Sequence, residues 1–179
     1  MNHIIKNSIV AVIAALIVGV AVYTTPVKKD KTIQGVIYSI GSYEQTKPIE
    51  LTLQGRYKRG IFSRNKFSGK IGIEGYDLTL EKSTMSTINF KNGRGNLVYS
   101  IWNLATETTQ DYFLGSIFVN DSFSQFTILV NAQVKDINSN SDWTWSESNG
   151  IVITAAATNG KEALEIAEKL TRKSGLQLK

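Results

Sequence analysis

Ser8 to Tyr23, SIVAVIAALIVGVAVY, runs sixteen residues without a charge, and Thr24, Thr25, Pro26 and Val27 extend the uncharged stretch to twenty. At a helical rise of about 1.5 Å per residue, twenty residues span about 30 Å, the thickness of a hydrocarbon core. No polar face interrupts the run, which excludes an amphipathic helix lying on a surface, and Lys6 before it and Lys28 and Lys29 after it mark both ends. The chain therefore reads as a short tail at 1–7, a single transmembrane helix or uncleaved signal anchor at 8–27, a basic linker at 28–32 and one β-rich domain at 33–179. Gly19 and Ala21 are small enough for a signal peptidase, so secretion after cleavage near Ala21 is the alternative.

The flanking charges also explain the basic balance. Of the twenty Lys and Arg, four precede residue 32 together with one of the fifteen acids, which leaves sixteen cations against fourteen acids, a net +2, for the domain itself. That is too little to argue for nucleic acid as a partner. Counted by the positive-inside rule, Lys28, Lys29 and Lys31 would hold the domain in the cytoplasm. A very short N-terminal tail, the partial offset from Asp30 and the Ser, Thr and Asn richness of the loops favour the extracytoplasmic side of the cell membrane, which is the expectation here.

Beyond Lys31, runs of four to ten residues alternate apolar with polar, the period of half-buried strands. Ile49, Leu51 and Leu53 share a face opposite Glu50, Thr52 and Gln54; Phe67, Gly69, Ile71 and Ile73 repeat the pattern, and Tyr76, Leu78 and Leu80 extend it. Asn92-Gly93 signals a hairpin between MSTINF and NLVYSIWNL, and further strands are expected at 111–119, 125–133 and 150–158. A C-terminal helix is expected at 160–174: Asn159 can cap it, Glu162 completes a capping box, and Ala163, Ile166, Ala167 and Leu170 form an apolar stripe. Lys169, Arg172 and Lys173 suit its last turn, and Gly175 ends it. The fold class is mainly β, an antiparallel β-sandwich or open barrel with one C-terminal α-helix, preceded by the single N-terminal transmembrane helix.

GRYKRGIFSRNKFSGK, residues 55–70, carries six cations and no acid, interleaved with Tyr57, Phe62 and Phe67. Arg56, Lys58, Arg59, Arg64, Lys66 and Lys70 are the candidate polyanion-binding residues, for an anionic wall polymer or lipid headgroups beside a tethered domain. A hairpin that solvates its cations and buries its aromatics accounts for the same composition. No recognition-helix, RNA-binding or zinc-finger pattern accompanies them.

DINSNSDWTWSE, residues 136–147, places Asp136, Asn138, Asn140, Asp142, Thr144 and Glu147 at positions one, three, five, seven, nine and twelve. Over these twelve residues the loop resembles the calcium loop of EF-hand proteins, which takes its oxygens from the same places. Position six is Ser141 where that loop has glycine, and the expected neighbours are strands instead of helices. The resemblance implies a weak calcium site ligated by Asp136, Asn138, Asn140, Asp142 and Glu147; an Asn- and Ser-rich connection matches by composition alone. Trp143 and Trp145 add a carbohydrate reading, with rings stacked on sugar faces and Asp142 and Glu147 as a carboxylate pair.

The single histidine, His3, precedes the apolar run, and cysteine is absent. Inside the domain this excludes a Ser-His-Asp triad, a His-ligated metal, a thiolate nucleophile and a zinc-thiolate site. The glycines of GKIGIEG, residues 69–75, alternate along a strand and form no phosphate loop. The expectation is a membrane-anchored, non-enzymatic envelope protein, without a resident cofactor, whose β domain binds or senses a cell-surface partner: a wall polymer, lipid headgroups or another protein. The alternatives are a calcium-dependent or carbohydrate-binding module centred on 136–147 and a hydrolase working with carboxylates alone.

Overall fold

The computed structural model describes residues 2–61, 64–80, 83–131, 145 and 150–178, with backbone only for 2–6. Helix α1, Asn2–Thr24, is fully exposed along its apolar length, and its Asn7–Thr24 portion is long and apolar enough to cross a membrane or to serve as a signal sequence. The Thr24 and Thr25 hydroxyls donate to the carbonyls of Val20 and Ala21 at 2.9 and 2.7 Å, closing the last turn before Pro26.

Two residues later the chain is already in the sheet. Strand β1, Val27–Lys28, pairs with β3, Lys47–Lys58, so that Val27 lies opposite Tyr57 and Lys28 opposite Arg56. β2, Lys31–Ser39, continues along the same neighbour, and the interval is bridged by Gly55 donating to the Asp30 carboxylate at 3.0 Å. The segment expected as a linker at 28–32 is thus two strand ends joined through one carboxylate.

The remaining strands are β4 (Asn65–Ile73), β5 (Ser83–Met85), β6 (Ile88–Phe90), β7 (Arg94–Asn103), β8 (Thr108–Val119), β9 (Phe126–Val130) and β10 (Ile151–Ala155). All described strands join one antiparallel sheet in the order β5-β7-β8-β9-β10-β2-β3-β4-β6, with β1 beside β3. The sheet curls into a half-barrel, so the two facing sheets of a sandwich are replaced by one sheet folded around its own interior. Two devices bend it. Gly69, at φ +150°, lies directly opposite Gly55, where a Cβ would run into the Gln54 carbonyl. Between β7 and β8 the register shifts at Leu97/Val98, a β-bulge.

The curl creates two cores. Leu51, Leu53, Phe67, Ile71, Ile73, Leu97, Ile117, Ile128 and Ile153 fill the concave side, while Val36, Tyr38, Phe118, Leu129 and Val152 point outward beneath helix α2, Gly160–Arg172. Covering both faces buries β9 at every position, where simple alternation would leave one side wet. The α2 stripe Ala163, Ile166, Ala167 and Leu170 is buried as its spacing predicts. Asn159 caps it by accepting from Glu162 N at 3.0 Å, but Glu162 reaches back to the N–H and hydroxyl of Thr158, one residue beyond the expected box.

Two local expectations change. Tyr76, Leu78 and Leu80 do not extend β4; Asp77–Thr79 forms a short 3₁₀ turn, because the Thr79 hydroxyl engages both Ile73 N and the Tyr76 carbonyl at 2.8 Å. MSTINF is divided: Met85 ends β5, which pairs with β7, and Ile88–Phe90 is β6, which pairs with β4. Asn92 and Gly93, at φ 52° and 77°, form the expected tight turn between β6 and β7.

Candidate functional site

Antiparallel strands put alternate connections at opposite ends of the sheet. The end where α1 enters also holds the β3–β4 hairpin, the β6–β7 turn at 91–94 and the β8–β9 turn at 120–125. Side chains stitch these pieces together. Lys29 Nζ donates to the Ser122 carbonyl at 2.9 Å, Arg59 Nε donates to the Asp121 carbonyl at 3.2 Å, and Lys173, just past α2, approaches the Asp121 carboxylate at 3.5 Å. The β3–β4 hairpin is braced by Asn65, whose Oδ1 accepts from Gly60 N at 2.9 Å and whose Nδ2 donates to the Tyr57 hydroxyl at 3.0 Å. Beneath it Phe123 stacks on Tyr57 with ring centroids 5.1 Å apart and contacts Phe67, Phe90 and Phe126.

Of the six candidate cations, Arg56, Lys58 and Lys66 are exposed on the outer face of the β3–β4 ribbon, with Lys58 directly opposite Lys66. Arg64 is exposed next to β4, and Arg59 is half-buried with its guanidinium 5.3 Å from the centroid of the Tyr23 ring, in the last turn of α1. Lys70 does not join them: its ammonium donates to the carbonyls of Leu80 and of Ser83, farther along β4. No carboxylate among the described residues lies within ion-pair distance of Arg56, Lys58, Arg59, Arg64 or Lys66.

Topology adds cations that no linear stretch reveals. Lys28 pairs with Asp30 at 2.7 Å, and Lys91 and Lys173 line an open hollow of ≈ 640 Å³ together with Ile61, Arg64, Phe90 and Asp121. The crowding is felt in titration: burial, with Lys31 and Arg59 nearby, lowers the pKa of Lys29. The hydrogen bond from Lys28, with help from the Gly55 N–H, holds the Asp30 carboxyl below the usual range. At the opposite end of the sheet the connections carry Glu44, Glu74, Asp77 and Glu107. Among the described residues, cations gather beside α1, whereas acids carried by these connections, with Lys47 at the start of β3, mark the end away from it. Chemically, guanidinium and ammonium groups so displayed attract and pair with anions.

Asp136, Asn138, Asn140, Asp142 and Glu147 lie outside the described residues. Within their loop only Trp145 is described: it is half-buried against the core under α2, and its Nε1 donates to the Ile151 carbonyl at 3.3 Å. Trp102 is exposed on β7. Comparison with protein-family models, with curated proteins and with solved structures returns no match for this chain.

Proposed function

We propose that the chain is a membrane-anchored, non-enzymatic envelope protein, with α1 in the cell membrane and the β domain on the extracytoplasmic side, where its basic end binds a polyanionic partner at the cell surface. The observation that carries this reading is the join between α1 and the sheet. Only Thr25 and Pro26 separate the apolar helix from β1, and the cations of β3 and β4 flank that join. A soluble core helix would bury its apolar surface, and α1 buries none of its 18-residue apolar window. A β domain without cysteine or histidine, the chain's single histidine being His3 in the first turn of α1, favours binding over catalysis.

The test uses the full chain with a C-terminal tag in intact cells. Resistance to alkaline carbonate extraction, together with loss of the tag to externally added trypsin, is the expected result. Release by carbonate would refute the anchor, a mature chain beginning at Val22 would make the domain secreted, and a tag shielded in unbroken cells would reverse its side.

A further inference from the structure

We infer that the partner of the basic end is the membrane itself: Arg56, Lys58 and Lys66, with Arg59 and Arg64, bind anionic phospholipid headgroups of the leaflet from which α1 emerges, pressing the tip of the β3–β4 hairpin against the bilayer. The inference rests on the anchored reading above and narrows its partner to one chemistry.

Depth along α1 sets the argument. With Asn7–Thr24 as the membrane span, Tyr23 lies in its last turn, at the boundary of the hydrocarbon with the headgroups, where an aromatic with a polar tip is favoured. Arg59 stands 5.3 Å from that ring, so its guanidinium shares the same depth. Lys28 is opposite Arg56, two residues from Lys58, and Lys58 is opposite Lys66. With strand residues spaced by about 3.3 Å and neighbouring strands by about 4.8 Å, these cations start within roughly 10 to 15 Å of the end of the helix. That is close to the screening length of about 8 Å at physiological salt, and lysine and arginine side chains can extend to close the gap.

The local chemistry agrees. The ribbon's exposed cations have no carboxylate partner among the described residues, so headgroup phosphates meet no competitor. Asp30 and Asp121 are at this end too, but they face Lys28 and Lys173. Ile61, exposed between Arg59 and Arg64, gives the hairpin tip an apolar residue flanked by cations, which suits an interface. The acidic connections lie at the far end, where repulsion from an anionic surface is least.

The absence of cysteine makes the test clean. Full-length Ile61→Cys and Leu104→Cys variants, each labelled with a fluorophore, are reconstituted in vesicles of phosphatidylcholine with and without phosphatidylglycerol, both carrying a headgroup nitroxide quencher. The label at 61 is expected to be quenched in the anionic vesicles and released by high salt, while the label at 104 stays bright. Neutralising Arg56, Lys58 and Lys66 to Gln lowers the ratio of surface-bound to free hairpin about five-fold per charge, roughly a hundredfold for all three. Equal quenching at 61 in neutral vesicles, insensitivity to salt, or a response only to added soluble polyphosphate would overturn the inference, the last in favour of a polymer. Failure of the chain to float with either kind of vesicle would instead refute the anchor.

Discussion

Replacing Phe123 by alanine should unbolt the basic end of the domain. The ring is fully buried and touches Tyr57, Phe67, Phe90 and Phe126 with centroids between 4.8 and 5.9 Å. Burial of a phenylalanine side chain contributes about 1.5–3 kcal/mol, aromatic pairs add about 0.5–1.5 kcal/mol each without summing fully, and such truncations cost about 3–5 kcal/mol in practice. A total stability of about 5–15 kcal/mol makes that a large fraction. The backbone supplies an internal control, because Phe123 sits at φ 52°, where a side chain of either size is strained. Phe123→Gly should therefore be more stable than Phe123→Ala by about 1 kcal/mol, the reverse of the usual order, since relief of the left-handed penalty exceeds the entropic cost of glycine. Urea unfolding of the full chain in detergent, followed by tryptophan fluorescence, measures both. A loss below about 1 kcal/mol for alanine would contradict the packing argument, and a glycine variant less stable than the alanine one would contradict the backbone argument.

Other consequences can be checked with the same preparation. Asn159→Ala should destabilise the docking of α2 by about 1 kcal/mol, seen as earlier loss of far-ultraviolet circular dichroism. Glu162 accepts from the Thr158 N–H and hydroxyl, which hold its pKa down; its contribution is present above the unfolded value and is lost as pH falls through the folded one, so Glu162→Gln should flatten the acid limb of the stability profile. Burial, with the Glu168 carboxylate adding to it, pushes the Tyr38 phenol up to about 12, and the hydroxyl has no hydrogen-bond partner among the described residues. Stability is therefore full below the ordinary value of 10 and falls as pH climbs from there, and Tyr38→Phe should lose less on the alkaline side without being weaker at neutrality. Gly69→Ala should cost about 1–3 kcal/mol, because the added methyl meets the Gln54 carbonyl where the sheet bends.

Those residues also show what a linear reading can and cannot reach. The cap and stripe of α2, the alternation along β3 and β4, and the Asn92-Gly93 turn are local rules, and the chain obeys them. The 3₁₀ turn at Asp77–Thr79 was hidden because the pattern of Tyr76, Leu78 and Leu80 fits a strand until the Thr79 hydroxyl finds Ile73. MSTINF has no proline or glycine to mark its division, yet Met85 ends β5 and Ile88–Phe90 forms β6, the two strands at opposite edges of the sheet. For the candidate site, the pleat sorts Arg56, Lys58 and Lys66 onto one face, as alternation allows, whereas the carbonyls that draw Lys70 away belong to residues ten and thirteen positions later. Lys29, Asp121 and Lys173 meet only because three separate connections reach the same end of the half-barrel.

The joint at Thr25 and Pro26 leaves the domain almost no leash. With α1 in a bilayer, its tilt is passed straight into β1, so that the body leans with its stem instead of swinging from it. The longest strands, of twelve residues, extend about 40 Å. On the proposed reading, a ligand held on this body would sit within about that distance of the lipid, and one in a more distant layer of the envelope would have to come down to meet it.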